Sequence, residues 1–194
     1  MRPTLLLLLL QFTALTVLKA QEDFGNRLAI AAVSLTQEVV TYDPSYFAIA
    51  YPNGDVPANK GVCTDVVIRA YRKMGVDLQL QVHLDMKAHF KAYPNLWGLQ
   101  STDTNIDHRR VPNLMTFFKR QGAAVPITSQ AKDYIAGDLV CWRLDGGATH
   151  IGIVSDKMHW SGKRLLIVHN IGNGQVLQDC LFDFNIIGHY RYSQ

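Results

Sequence analysis

Residues 63–74 read Cys63-Thr64-Asp65-Val66-Val67-Ile68-Arg69-Ala70-Tyr71-Arg72-Lys73-Met74. Within them Cys63, Val66, Val67, Ala70, Tyr71 and Met74 recur at the spacing of one buried stripe on a helix. Pro57 and Gly61 lie just upstream. Neither favours extending a helix backwards, so Cys63 is expected in the first turn, on the inward face. Unpaired N–H groups and the helix macrodipole stabilise a thiolate there, and the expectation is a cysteine pKa pulled below its ordinary value of about 8.5. The same N–H groups suit the oxyanion formed when a carbonyl is attacked. A buried structural cysteine is the plain alternative.

The second half of the chain supplies imidazoles from strand-like runs. Residues 138–144 and 149–155 flank Asp145-Gly146-Gly147-Ala148 and read as a hairpin. Alternation puts His150, Gly152 and Val154 on one face of the second strand, with Ile151, Ile153 and Ser155 on the other. A glycine inside a strand marks close approach of another backbone, here expected to be the docked start of the Cys63 helix. Residues 165–170 form the next strand, with His169 on the Ile167 face and Asn170 on the Val168 face. A thiol nucleophile needs a base within hydrogen-bond reach, and the base needs a third group to fix its tautomer. His150 is the expected base, and either His169 or Asn170 can orient it. For each histidine alone, a satisfied core residue is the simpler reading.

The stretches Gly61-Val62-Cys63-Thr64-Asp65, Asn105-Ile106-Asp107-His108-Arg109-Arg110-Val111-Pro112-Asn113-Leu114, His150-Ile151-Gly152-Ile153-Val154-Ser155-Asp156 and Val168-His169-Asn170-Ile171-Gly172 carry a family resemblance. Together they resemble the bacterial domain of unknown function numbered 1287, which is placed among the NlpC-type papain-like cysteine hydrolases. The resemblance runs from about Ala29 to Tyr192. It implies a nucleophile at Cys63, a base at His150 and a polar third member at His169, on an α+β papain-like scaffold without a cofactor or catalytic metal. The wider relatives mostly cleave amide bonds of cell-wall peptides, so peptidoglycan stem peptides are the expected substrate. Asp65, Tyr51, His108, Arg109 and Asn170 are expected on the substrate side. One departure is visible: NlpC-type enzymes usually carry Asp-Cys-Ser-Gly at the nucleophile, where this chain has Val62-Cys63-Thr64-Asp65.

Residues 1–20 read as an export leader: a positive start at Arg2, an apolar run through Leu5 to Leu10 and beyond, and Lys19-Ala20 before Gln21. Residues 21–194 then form one domain, periplasmic or secreted, and no second apolar stretch is long enough to span a bilayer. Losing Arg2 and Lys19 takes the formal charge from +3 to +1. No basic stripe remains to suggest nucleic acid. Arg109-Arg110 is the one suggestive basic pair, suited to a carboxylate of an acidic peptide or to a solvated helix edge. A monomer is expected. Of the three cysteines at least one is unpaired, Cys63 by preference, and a Cys141–Cys180 disulfide is open.

Residues 23–40 read as a helix with Leu28, Ala31, Ala32, Leu35 and Val39 inward. Residues 42–60 read as a long ordered loop whose Tyr51 and Asp55 are placed to line a cleft, and residues 78–93 as a helix ending before Pro94. Pro112 opens a shorter helix with Leu114, Phe117 and Phe118 inward and Gly122 at its end. Helices first and strands last indicate an α+β domain with helices packed on an antiparallel sheet. Two other readings compete: a zinc hydrolase using Cys63, His108, His150 or His169, and a catalytically silent wall-binding or partner-binding module.

Overall fold

The structure is a computed structural model that describes the backbone of residues 3–193 and the side chains of residues 19–193. The leader expected over residues 1–20 lies outside the described side chains except at its last two positions. Among the described residues no helix is long and apolar enough to cross a membrane.

The α+β expectation is met. Helices α1 (Pro3–Leu35), α2 (Cys63–Lys73), α3 (Leu78–Ala88) and α4 (Val111–Arg120) precede an antiparallel sheet. Strands β1 (Thr41–Tyr42) and β2 (Lys60–Gly61) form a small parallel pair, which closes the loop of residues 43–59 just ahead of α2. Strands β3 (Leu139–Arg143), β4 (Thr149–Met158), β5 (Leu165–His169), β6 (Val176–Gln178) and β7 (Asn185–Tyr190) build the main sheet in the order β6-β5-β4-β3-β7.

Helix α2 is central, and residues 63–71 are all buried. Its stripe of Val66, Val67, Ala70 and Tyr71 meets Leu28, Ala32 and Leu35 of α1 and Leu139, Cys141, Ile151, Ile153 and Val168 of the sheet in one core. A leucine sealed as completely as Leu28 contributes about 1.5–3 kcal/mol. The other face of the sheet is covered too. Val140, Trp142, Val154 and Ile167 form a second core with Tyr134, Cys180 and Leu181. Both faces being apolar, the strands carry near-continuous hydrophobic runs, and alternation alone does not say which face meets the helices.

Two local expectations need correction, and the open question of a Cys141–Cys180 disulfide is answered. Helix α1 stops at Leu35, where the Ser34 and Thr36 hydroxyls turn back onto the Ala31 and Val33 carbonyls, and Val39 is 91% exposed. The expected helix over 78–93 breaks at His89 into a 3-10 turn, Phe90–Ala92. All three cysteines are free. Cys141 and Cys180 belong to cores on opposite faces of the sheet, so no disulfide joins them.

Candidate active site

Cys63 is the first residue of α2 and only 6% exposed. The helix start is held by Asp65, whose carboxylate accepts the Val62 N–H at 2.7 Å and grips Arg109 through two hydrogen bonds of 2.9 and 3.0 Å. Gly61 lies so close to Asp65 that a Cβ there would meet Asp65 Cβ at 3.1 Å. Thr64 donates to the Arg109 carbonyl at 3.1 Å, tying the segment before α4 to the same turn. The thiol opens on a small pocket of about 220 Å³ that also touches Tyr42, Trp97, Arg109, Arg110 and Thr149.

The expected thiolate is not what the site holds. Burial pushes the Cys63 thiol up to about 11, and Asp65 adds to the rise; the N–H groups of Ile151, Thr64 and Cys63 itself pull the other way but do not win. The helix start supplies the donors that sequence reasoning anticipated, but desolvation of the charged form outweighs them.

His150 and His169 do come together, His150 Nε2 lying 2.8 Å from His169 Nδ1. The second nitrogen of His169 is 3.1 Å from Gln178 Oε1 and 3.6 Å from Cys180 Sγ. With Gln178 Oε1 as the acceptor, these contacts set the tautomers. An amide oxygen only accepts, so His169 carries its proton on Nε2, His150 donates Nε2–H to His169 Nδ1, and the lone pair of His150 is left on Nδ1. This is the orientation a general base requires.

The imidazoles lie on the face of the sheet away from Cys63. His150 sits opposite Trp142, whose ring it meets at 5.7 Å in the second core, whereas Ile151 packs with Cys63 in the first. Among the described residues no hydrogen bond joins Cys63 to either histidine, contrary to the expected direct contact. The role expected of Gly152 changes accordingly. A Cβ there would meet Ile167 Cγ2 at 2.7 Å and His169 Cβ at 3.2 Å, so this glycine makes room for the His169 side chain rather than for α2. Thr149, the residue before His150, does face the Cys63 pocket, and the start of β4 therefore connects the two faces.

The other expected substrate residues are mostly committed elsewhere. Asp65 and Arg109, 2% and 6% exposed, neutralise one another. His108 is buried and lies outside the lining of the thiol pocket. Tyr51 sits edge-on to the His83 ring, on a loop that Asp55 ties to Arg69 and Arg72, so neither Tyr51 nor Asp55 reaches the pocket. Asn170 is a strut: its amide donates to the Gly61 carbonyl and accepts the Gly172 N–H. Sequence reasoning missed Gln178, Trp97 and Thr149. Only the position of Thr149 beside His150 carried a signal for its place. Among the described residues no group of three or more His, Cys, Asp or Glu side chains converges, so the zinc reading has no ligand set here.

Burial also pushes the His150 and His108 imidazoles down to about 3. Their unfolded values lie near 6.5, so protonation favours the unfolded chain. Their contribution is complete above about pH 6.5 and is lost as pH falls towards 3, at about 1.4 kcal/mol per pH unit for each. Urea unfolding between pH 7 and 5 should show this slope, and His108→Gln should flatten it; a stability independent of pH over that range contradicts it.

Comparison with known proteins places the chain in context. The model of a family described as "Domain of unknown function (DUF1287)" matches residues 29–192. "Uncharacterized protein YijF" of Escherichia coli (strain K12) is 48% identical over 177 residues, covering 91% of this chain and 86% of that protein. A solved structure, NlpC1 from Trichomonas vaginalis, aligns with a TM-score of 0.45 at 14% identity over 86% of this chain. The chain spans 44% of that protein's length.

Proposed function

This chain belongs to the DUF1287 family, and we propose that it is a cysteine hydrolase that cleaves amide bonds, with Cys63 as nucleophile and His150 as base. One observation carries the reading: the Gln178–His169–His150 chain leaves an oriented lone pair on His150 Nδ1, at the strand start that borders the Cys63 pocket. An imidazole held in one tautomer by two successive partners matches the requirements of proton transfer.

In the resting arrangement the thiol is protonated and the imidazole neutral. The reaction therefore requires the start of β4 to shift so that His150 Nδ1 meets the sulfur while its Nε2 stays on His169. Once in contact, His150 takes the thiol proton as sulfur attacks the carbonyl, the N–H groups of Cys63 and Thr64 receive the oxyanion, and His150 returns the proton to the leaving amine. Water then releases the acyl group. Cell-wall stem peptides in the periplasm or outside the cell are the proposed substrates. The resemblance of the Cys63 and histidine segments to NlpC-type hydrolases and the leader-like residues 1–20 support that choice.

The test is to incubate the purified protein with muropeptides, with and without prior iodoacetamide, and identify products by mass spectrometry. Cleavage that disappears with thiol blocking is expected. Intact muropeptides in every sample, from protein that is folded by circular dichroism, remove the wall-peptide reading.

A further inference from the structure

We propose that Arg110, stacked on Trp97, is the carboxylate-binding residue of the Cys63 cleft and selects substrates bearing a free carboxylate near the reacting carbonyl. The inference rests on the reading of Cys63 as nucleophile and adds the chemistry of the group recognised beside it.

The charged groups lining the thiol pocket are Arg109 and Arg110. Arg109 is spent on Asp65. Arg110 is not: among the described residues its guanidinium makes no hydrogen bond, and the nearest acidic atom, Asp107 Oδ1, lies 3.8 Å from Nη1. Both of those atoms are buried without a hydrogen-bond partner. This loose pairing neutralises charge while leaving the directional donors of Arg110 unused. It lies over Trp97, whose ring centre is 4.0 Å from the guanidinium carbon. A stacked guanidinium presents its N–H edge in a set orientation, the geometry that binds a carboxylate through two parallel hydrogen bonds. Arg110 and Trp97 also wall a second pocket of about 440 Å³, shared with Phe90, Lys91 and Tyr93. The cation thus stands in the wall between the thiol pocket and a larger, partly aromatic space with a second positive charge. A ligand carboxylate at Arg110 leaves room there for the rest of the chain that bears it.

Iodoacetate and iodoacetamide separate this proposal from the reading beneath it. Each alkylates sulfur through its methylene carbon: an S–C bond forms, iodide leaves with the C–I electron pair, and the thiol proton goes to buffer. They differ in carrying a carboxylate or a neutral amide. At pH 9, with Cys63 modification followed by peptide mass spectrometry, Arg110→Gln is expected to slow iodoacetate roughly fivefold. The iodoacetamide rate should change by less than about twofold, as an uncharged reagent gains nothing from the cation. An unchanged ratio of the two rates overturns the proposal. If Cys63 reacts with neither reagent, the nucleophile reading fails, and Arg110 is decided by binding alone. The Trp97 indole resonance is then titrated with N-acetylglycylglycine and with its C-terminal amide. Tighter binding of the acid that is lost in Arg110→Gln supports the site, and equal dissociation constants overturn it.

Discussion

Asp65→Ala is expected to destabilise the fold by about 3–5 kcal/mol, the usual result of removing one partner from a buried ion pair. The Asp65 and Arg109 side chains are 3% and 2% exposed, and the carboxylate accepts from both Nε and Nη2 of Arg109. Truncation leaves a guanidinium in the interior, with only the Ser45 carbonyl at 3.3 Å still accepting from it. It also frees the Val62 N–H at the start of α2, where the Val62 side chain offers no acceptor of its own. Replacing both members, as Asp65→Ala with Arg109→Met, should restore much of the loss, because the uncompensated charge is then gone. Urea unfolding monitored by circular dichroism measures both. A loss below about 1 kcal/mol for the single variant would mean that water reaches Arg109 and that the pair is effectively at the surface. The same variant bears on the site, since Asp65 positions the turn that presents Cys63.

The contrast between Asp65 and Cys63 explains how far the sequence could be read. Local periodicity is carried by neighbours along the chain. The α2 stripe, the β3–β4 hairpin and the α4 segment with Leu114, Phe117 and Phe118 inward are therefore legible in the residue pattern itself. Strand alternation left His169 and Asn170 equally open as the partner of His150, and only the family resemblance implied His169. The face on which that pair lies was not legible, because Ile151 and Ile153 bury against the helices while Val154 and Ile167 bury on the far side. With both sides apolar, a period of two sorts residues by face without assigning direction. Gln178 and Trp97 were illegible for another reason: each acts through a residue on a separate segment, His169 on the neighbouring strand for one and Arg110 for the other, and no local period links such a pair. The thiol pKa failed as an expectation because helix-start donors are local, whereas desolvation depends on everything packed around the sulfur.

Cys63→Ala and His150→Ala should each reduce amide hydrolysis by at least about a thousandfold, with little change in unfolding midpoint for the cysteine variant. Alanine in place of Cys63 removes one sulfur atom from a helix start whose anchors, Asp65 and Arg109, are untouched. Loss of activity then reports chemistry rather than folding. His150→Ala removes the lone pair that the Gln178–His169 chain orients, while its sheet partner Trp142 still donates to the Leu181 carbonyl at 3.0 Å. The double variant should be no slower than the slower single one, because nucleophile and base act as a unit. Gln178→Ala should cost less, on the order of tenfold, since it frees the His169 tautomer without deleting the base. A purely structural role for the histidine pair predicts a different ordering: activity would track the loss of stability, and conservative His150→Gln would recover it. Measuring kcat for the five variants alongside their unfolding midpoints separates the two. Full activity in Cys63→Ala would remove the cysteine mechanism outright and leave the oriented imidazole as the group whose purpose must be found.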